Sequence, residues 1–194
     1  MTQLRALCVY CAASNKVDPC HLQAAYELGQ LAARRGVRIV FGAGSVGLMG
    51  ALAEGTLAEK GEITGIIPEH IEKWELGHRG ITEYLVVDSM HERKRLMFER
   101  SDAFCVLPGG LGTLDETLEM ITWRQLKMHD KPIVLVNNAG YWDPLLRLID
   151  HIIAEGFLQQ VPERLFQVVE SVPEIFDAIA AAPPPARPDM VERL

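Results

Sequence analysis

The sequence predicts an α/β fold: a Rossmann-like, doubly wound, mainly parallel sheet of about six to seven strands with helices on both faces. Three observations lead there. Short apolar runs rich in β-branched residues alternate with longer helical stretches. Those runs are apolar almost throughout, as expected of parallel strands covered on both faces. Glycine-rich turns fall where strands should end and helices begin, the ligand-binding edge of such sheets.

Taken in order, 4–10 reads as the first strand and 21–35 as the first helix, stopped by Gly36 after Arg34 and Arg35. Strand 37–41 runs into Gly42-Ala43-Gly44-Ser45-Val46-Gly47, and a helix follows over 47–60. Strand 63–67 comes next. The stretch 68–82 breaks the rhythm, with Pro68 marking a helix start or a loop. Strand 84–87, helix 89–100 and strand 103–107 restore the alternation. A helix at about 113–127, strand 133–136 and helix 143–155 follow, then a weaker strand at 165–169 and a helix over 173–181. Residues 1–181 are read as a single domain, and 182–194, with Ala-Pro-Pro-Pro-Ala-Arg-Pro, as an exposed tail.

Composition narrows the function. With 48% hydrophobic and 23% charged residues the chain is an ordinary globular protein. A net charge of −7 argues against a nucleic-acid partner, which calls for a basic face. No apolar stretch is long enough to span a bilayer, and the first twenty residues lack a leader's apolar block, so a cytoplasmic protein with no membrane partner is expected. Cys8 and Cys11 form a lone CxxC without a second pair, more consistent with buried residues than with zinc or redox chemistry. The histidines are scattered, and no metal site is expected.

Three segments could carry chemistry. The turn at 42–47 matches GxGxxG, the dinucleotide pattern, but follows the second strand, and only Glu69, after Pro68, stands where the partner acid is due. Close packing explains these glycines as well as a ligand does. The stretch Leu107-Pro108-Gly109-Gly110-Leu111-Gly112-Thr113-Leu114-Asp115-Glu116 says more. Glycines permit close approach to the backbone, and a helix start offers unpaired N–H groups and a positive dipole end to a phosphate. Glu116 then sits one turn inside an anion cradle. Gly112 is followed directly by Thr113 with no lysine, which argues against a P-loop NTPase. The competing reading is a capping box, since Thr113 and Glu116 have Ser/Thr-x-x-Glu spacing. Asp115 reads as a solvated acid of the first turn. In Ser89-Met90-His91-Glu92-Arg93-Lys94-Arg95, helical spacing puts Met90 and Met97 on one face with Arg93 and Lys94 flanking them, while Arg95 points away. The alternative for that run is a solvated charged face, with His91 structural.

Together these segments resemble the Lonely guy (LOG) family of nucleoside 5'-monophosphate phosphoribohydrolases. The resemblance rests on Gly44 to Gly50, Met90 to Lys94, Pro108 to Glu116, Ile121-Thr122-Trp123 and His129-Asp130-Lys131-Pro132. It implies a Rossmann-like fold and hydrolysis of the N-glycosidic bond of a cytokinin riboside or adenosine monophosphate, giving free base and ribose 5-phosphate. It implies Arg93 and Glu116 as catalytic residues. The implied substrate contacts are Lys94, Gly110, Leu111, Gly112, Thr113, Leu114, Asp115 and Thr122, with Glu75, Gly44 and Ser45. No cofactor is implied. A homodimer, or a larger assembly, with a site completed across the interface is. Two departures stand out: Phe41, Gly42 and Ala43 replace the usual tyrosine and glycines before Ser45, and the segment at Glu75 reads Trp-Glu-Leu-Gly. Relatives carry a lysine-decarboxylase label, yet nothing in the sequence supports a Schiff-base lysine. The other readings are a noncatalytic nucleotide or cofactor carrier and, behind it, a nicotinamide-dependent oxidoreductase using the 42–47 turn.

Overall fold

The computed structural model describes residues 4–73, 77–158 and 165–182. One sheet is formed by β1 (Ala6–Tyr10), β2 (Arg38–Phe41), β3 (Ile63–Pro68), β4 (Glu83–Val87), β5 (Ala103–Val106), β6 (Ile133–Val136) and β7 (Gln167–Val169). Its order is β4-β3-β2-β1-β5-β6-β7, and every neighbouring pair is parallel. The helices are α1 (Pro19–Arg34), α2 (Gly47–Ala58), α3 (Glu69–Glu72), α4 (Met90–Glu99), α5 (Leu111–Gln125), α6 (Asp143–Ala154) and α7 (Ile175–Ala181). The doubly wound fold read from the sequence is the fold observed.

Strand burial follows position in the sheet. The inner strands β1, β3, β5 and β6 are buried along their whole length, while the edge strands β4 and β7 are half-buried and tolerate polar residues such as Glu83 and Gln167. Alternation along β1 feeds two cores. Leu7, Val9 and Cys11 pack with residues of α1, α2 and α7 on one face. Ala6, Cys8 and Tyr10 pack with residues of α4, α5 and α6 on the other. Cys8, Cys11 and Cys105 are buried, and burial pushes the Cys8 thiol up to about 12, so the CxxC pair is packing material rather than a redox centre. Among the described residues no helix is long and apolar enough to cross a membrane.

Local chemistry explains where helices begin. Asp18 caps α1 by accepting the Cys20 N–H at 2.9 Å, and Pro19 fits the first helical position, so this helix starts two residues before 21. It ends where Gly36 takes a φ of +66°. On the first face α1 crosses α2 at glycines: a Cβ on Gly29 would overlap the Leu52 carbonyl oxygen, and one on Gly55 the Tyr26 carbonyl oxygen.

The chain winds outward from β1 to β4 and then returns to β5 on the other side of β1. The loops leaving β1 and β5 therefore diverge at the carboxyl edge, opening the crevice characteristic of this topology. Among the described residues, the irregular stretch after Pro68 holds the single turn α3 before Gly77. It is tied down by backbone and side chain: Gly77 forms an antiparallel bridge with Gly44, the His78 N–H donates to the Ala43 carbonyl at 2.9 Å, Ile81 packs on the first core, and the Thr82 hydroxyl accepts the Ile63 N–H at 3.1 Å. Apart from Ala182, the expected tail at 182–194 lies outside the described residues.

Because a methyl at position 55 meets backbone rather than a flexible side chain, Gly55→Ala should cost about 1–3 kcal/mol. Urea unfolding would read this directly, and an unchanged midpoint would mean that the helices can separate without loss.

Candidate active site

Two helices bring the chemistry to the carboxyl edge. On α4, the Ser89 hydroxyl accepts the Glu92 N–H at 3.2 Å, and the Glu92 carboxylate accepts the Asp88 N–H at 3.2 Å. This reciprocal cap fixes the first turn, from which Arg93 and Lys94 project inward. Met97 is fully buried on the same side, whereas Arg95 lies outside and pairs with Glu99 at 3.0 Å. The capping motif is thus on α4, not at Thr113.

On α5 the cap residue is Gly110, which has no side chain to spend on the helix end. The helix opens at Leu111, two residues earlier than 113, which places Thr113 and Glu116 inside it. Thr113 accepts at its carbonyl from the Thr117 hydroxyl at 2.6 Å, and no cap hydrogen bond joins Thr113 to Glu116. The capping-box alternative is thereby overturned. Among the described residues the N–H groups of Gly110, Leu111, Gly112 and Thr113 have no acceptor. Gly109 is pressed so closely onto the helix that a Cβ there would overlap the Thr113 hydroxyl. The result is a row of free amides at the positive end of a helix, open to solvent at Gly110 to Gly112.

Glu116 leaves α5 toward the sheet and meets Arg93, Nη2 to Oε1, at 3.0 Å, with only 11% of the arginine side chain and 9% of the glutamate exposed. Burial holds the Glu116 carboxyl above the usual carboxylate range, while Arg93 pulls it back. The guanidinium is not fully satisfied. Among the described residues its buried Nε has no partner, and Nη1 has only the Met90 sulfur at 3.8 Å. Gly42 makes room for it, since a Cβ there would overlap Nη2. The Met49 sulfur lies 3.0 Å from where a Cβ on Gly44 would stand, so Met49 and Met90 supply polarizable surface near the pair.

Lys94 pairs with Asp115 at 2.9 Å and Glu119 at 3.3 Å. Burial lowers its basicity, but these acids outweigh it and hold the ammonium above its ordinary value. An amine so held is a poor Schiff-base nucleophile, which needs a depressed pKa. The other sequence candidates divide. Gly44 and Ser45 lie in the β2 turn near Met49. Leu114 is half-buried against the second core. Thr122 is exposed on another face of α5, away from Glu116. Glu75 lies outside the described residues.

The two glycine turns differ in use. The Gly47 N–H is taken by the Asn15 side chain at 2.7 Å, and Cβ atoms on Gly47 and Gly50 would overlap Ser14 and the Ser45 carbonyl. That turn is spent on packing around the β1–α1 loop, leaving no free amide at Gly47 for a pyrophosphate.

Residues 49–179 match a protein family described as "Possible lysine decarboxylase". A probable cytokinin riboside 5'-monophosphate phosphoribohydrolase of Oryza sativa subsp. japonica is 46% identical over 79% of this chain and 69% of its own length. The cytokinin riboside 5'-monophosphate phosphoribohydrolase LOG5 of Arabidopsis thaliana is 37% identical over 94% of this chain and 80% of its own. The chain belongs to the Lonely guy (LOG) family. Among solved structures, the molybdenum cofactor carrier protein of Chlamydomonas reinhardtii superposes with a TM-score of 0.70 at 18% identity, covering 92% of this chain and 97% of that one. At that identity the likeness concerns fold alone.

Within this LOG-family site the sequence overlooked Gly42, Glu119 and Tyr141. Gly42 looked like a turn residue because its neighbour in space, Arg93, lies far away in sequence. Tyr141 follows the strand end Ile133–Val136 in an Asn-Asn-Ala-Gly turn, a signal for a carboxyl-edge loop that points to no partner.

The buried carboxyl gives a stability signature. Because the folded LOG-family chain holds the Glu116 proton more tightly than the unfolded chain, that contribution is present at low pH and lost as pH rises through the folded pKa. In urea unfolding from about pH 4 to about pH 8, the stability of wild type relative to Glu116→Gln should fall as pH rises. A flat or rising difference would mean that the carboxylate is not strained by burial.

Proposed function

We propose that this chain hydrolyses the N-glycosidic bond of a purine nucleoside 5'-monophosphate, a cytokinin riboside or adenosine monophosphate, releasing free base and ribose 5-phosphate. The names of its relatives support the reaction class. The observation that carries it is the buried Glu116 carboxylate held beside Arg93 and next to the free amides of α5.

Cleavage of an N-glycoside builds positive charge on the sugar, as in other oxocarbenium-like glycosyl transfers. Glu116 is placed to stabilise that charge and to orient or deprotonate the attacking water. The amides of Gly110 to Thr113, with the Thr113 hydroxyl, take the 5'-phosphate. Arg93 directs its unpartnered Nε toward the nucleotide, orienting it or stabilising the departing base. Lys94 adds positive charge behind the cradle. Water adds hydroxyl to the anomeric carbon and a proton to the leaving nitrogen, so the reaction needs no cofactor. Glu75 and the segment after β3 belong to base recognition in this reading, and the cytoplasm is where the free nucleotide would be met.

The assembly is a homodimer. Leu111 is 85% exposed and Leu118 44% on α5, and Leu126 and Met128 just past the helix end are exposed as well. Thr122 shares that outer face, where it would serve the site of the partner rather than its own. A noncatalytic carrier would bind the nucleotide as well but has no use for a strained buried carboxylate. The oxidoreductase alternative loses its footing with the packed 42–47 turn.

Purified protein incubated with AMP or isopentenyladenosine monophosphate should release base on chromatography, and Glu116→Gln should cut turnover by about 10²-fold or more with binding retained. Binding without release from either substrate would favour the carrier. Since Glu116 must be ionised to act, the acid limb of kcat/KM should lie above the usual carboxylate range, and be lost in the variant. Leu118→Asp should shift the protein to monomer in light scattering, and a wild-type monomer would remove the shared-site arrangement.

A further inference from the structure

The glycine turn that forms the cradle is held by a residue far along the chain. Two successive carbonyls, those of Pro108 and Gly109, are each tied by a hydrogen bond from a distant residue. The Pro108 oxygen accepts the Ala12 N–H at 3.1 Å, which anchors the turn to the β1–α1 loop. The Gly109 oxygen accepts the Tyr141 hydroxyl at 2.7 Å, across 32 residues. Among the described residues the Tyr141 hydroxyl has no other hydrogen-bond partner.

Tyr141 is 40% exposed, yet its loop is built to hold it. The Asn137 side chain accepts the Trp142 N–H at 2.8 Å and donates to Asp143 at 2.9 Å, closing the loop on itself. Ala139 and Gly140 turn the chain through left-handed conformations, φ 56° and 69°. The Tyr141 ring stands edge-on to His21 at 5.5 Å and to Trp142 at 4.9 Å, and Asn138 reaches His21 at 3.2 Å. A half-exposed aromatic braced from two sides, with its hydroxyl aimed at a backbone carbonyl, is positioned for a purpose beyond packing.

That purpose follows from the planar peptide. The Gly109 carbonyl and the Gly110 N–H belong to one rigid unit and point in opposite directions. Fixing the oxygen fixes the direction of the N–H, and a carbonyl that accepts a hydrogen bond polarises its N–H into a stronger donor. Glycine at both positions leaves this peptide otherwise free to rotate. We propose that Tyr141 is a positioning residue of the phosphate cradle: its hydroxyl orients the Gly109–Gly110 peptide so that the Gly110 N–H joins those of the first α5 turn on the phosphate. The inference rests on the cradle assigned under the proposed function.

Tyr141→Phe keeps the ring and its braces and removes only the hydroxyl. Calorimetric binding of ribose 5-phosphate and of adenosine, to wild type and variant, tests it, with thermal melting alongside. The expected result is about a three- to tenfold weaker grip on ribose 5-phosphate with adenosine binding unchanged, and a rise in KM for AMP larger than any fall in kcat. Equal binding of ribose 5-phosphate by both proteins, or a parallel loss for both ligands, would overturn the assignment. If wild type itself does not bind ribose 5-phosphate, the cradle reading falls and takes this inference with it.

Discussion

A carboxylate and a guanidinium withdrawn from water each lose several kcal/mol of hydration, which is repaid only when geometry and further hydrogen bonds are right. The Arg93–Glu116 pair meets at 3.0 Å with both side chains almost wholly enclosed, and much of the carboxyl edge is arranged to allow it. The cap at Ser89 sets the rotation of α4. The glycine turn sets where α5 begins. Gly42 yields the volume the guanidinium fills. The pair remains imperfect, since among the described residues the buried arginine Nε has no partner. Buried polar groups are ordinarily hydrogen-bonded, so this donor marks the point where the pair is incomplete.

The contrast between the two glycine turns shows how little a pattern says without its surroundings. Both follow a strand and precede a helix, and both contain three glycines over a few residues. The turn after β2 gives an amide to Asn15, packs Gly47 against the Ser14 backbone, and leaves Gly42 and Gly44 facing the Arg93 and Met49 side chains. The turn after β5 leaves its amides free among the described residues. Neither helix has an oxygen-bearing cap, since α2 starts from Val46 and α5 from Gly110, so the difference lies in whether a distant side chain, such as Asn15, reaches the amides.

Fold and topology were legible because period and burial agree: every strand was visible as an apolar run, and the weakest run, at 165–169, became the short edge strand β7. The start of α1 was misplaced only because Asp18-Pro19 is polar and sits outside the apolar period. The ion pair was half legible. Helical spacing put Arg93 and Lys94 toward the interior, and the Pro-Gly-Gly block marked Glu116, but the choice between a cap and a buried site depended on which residue begins the helix. Contacts between distant segments, such as Gly42 with Arg93 and Gly109 with Tyr141, were out of reach, because no local pattern encodes them.

The stretch after β3 has one further consequence. It is fastened over the β2 turn by main chain, through the Gly44–Gly77 bridge and the His78 amide, and at its far end by the Ile81 and Thr82 side chains. A side chain at Gly77 would overlap the Tyr84 hydroxyl, so the fastening constrains sequence at its anchor points. The Arg93–Glu116 pair is built on α4 and α5, and its geometry does not pass through those anchors. Change in the segment and change in the ion pair are therefore separable in this architecture.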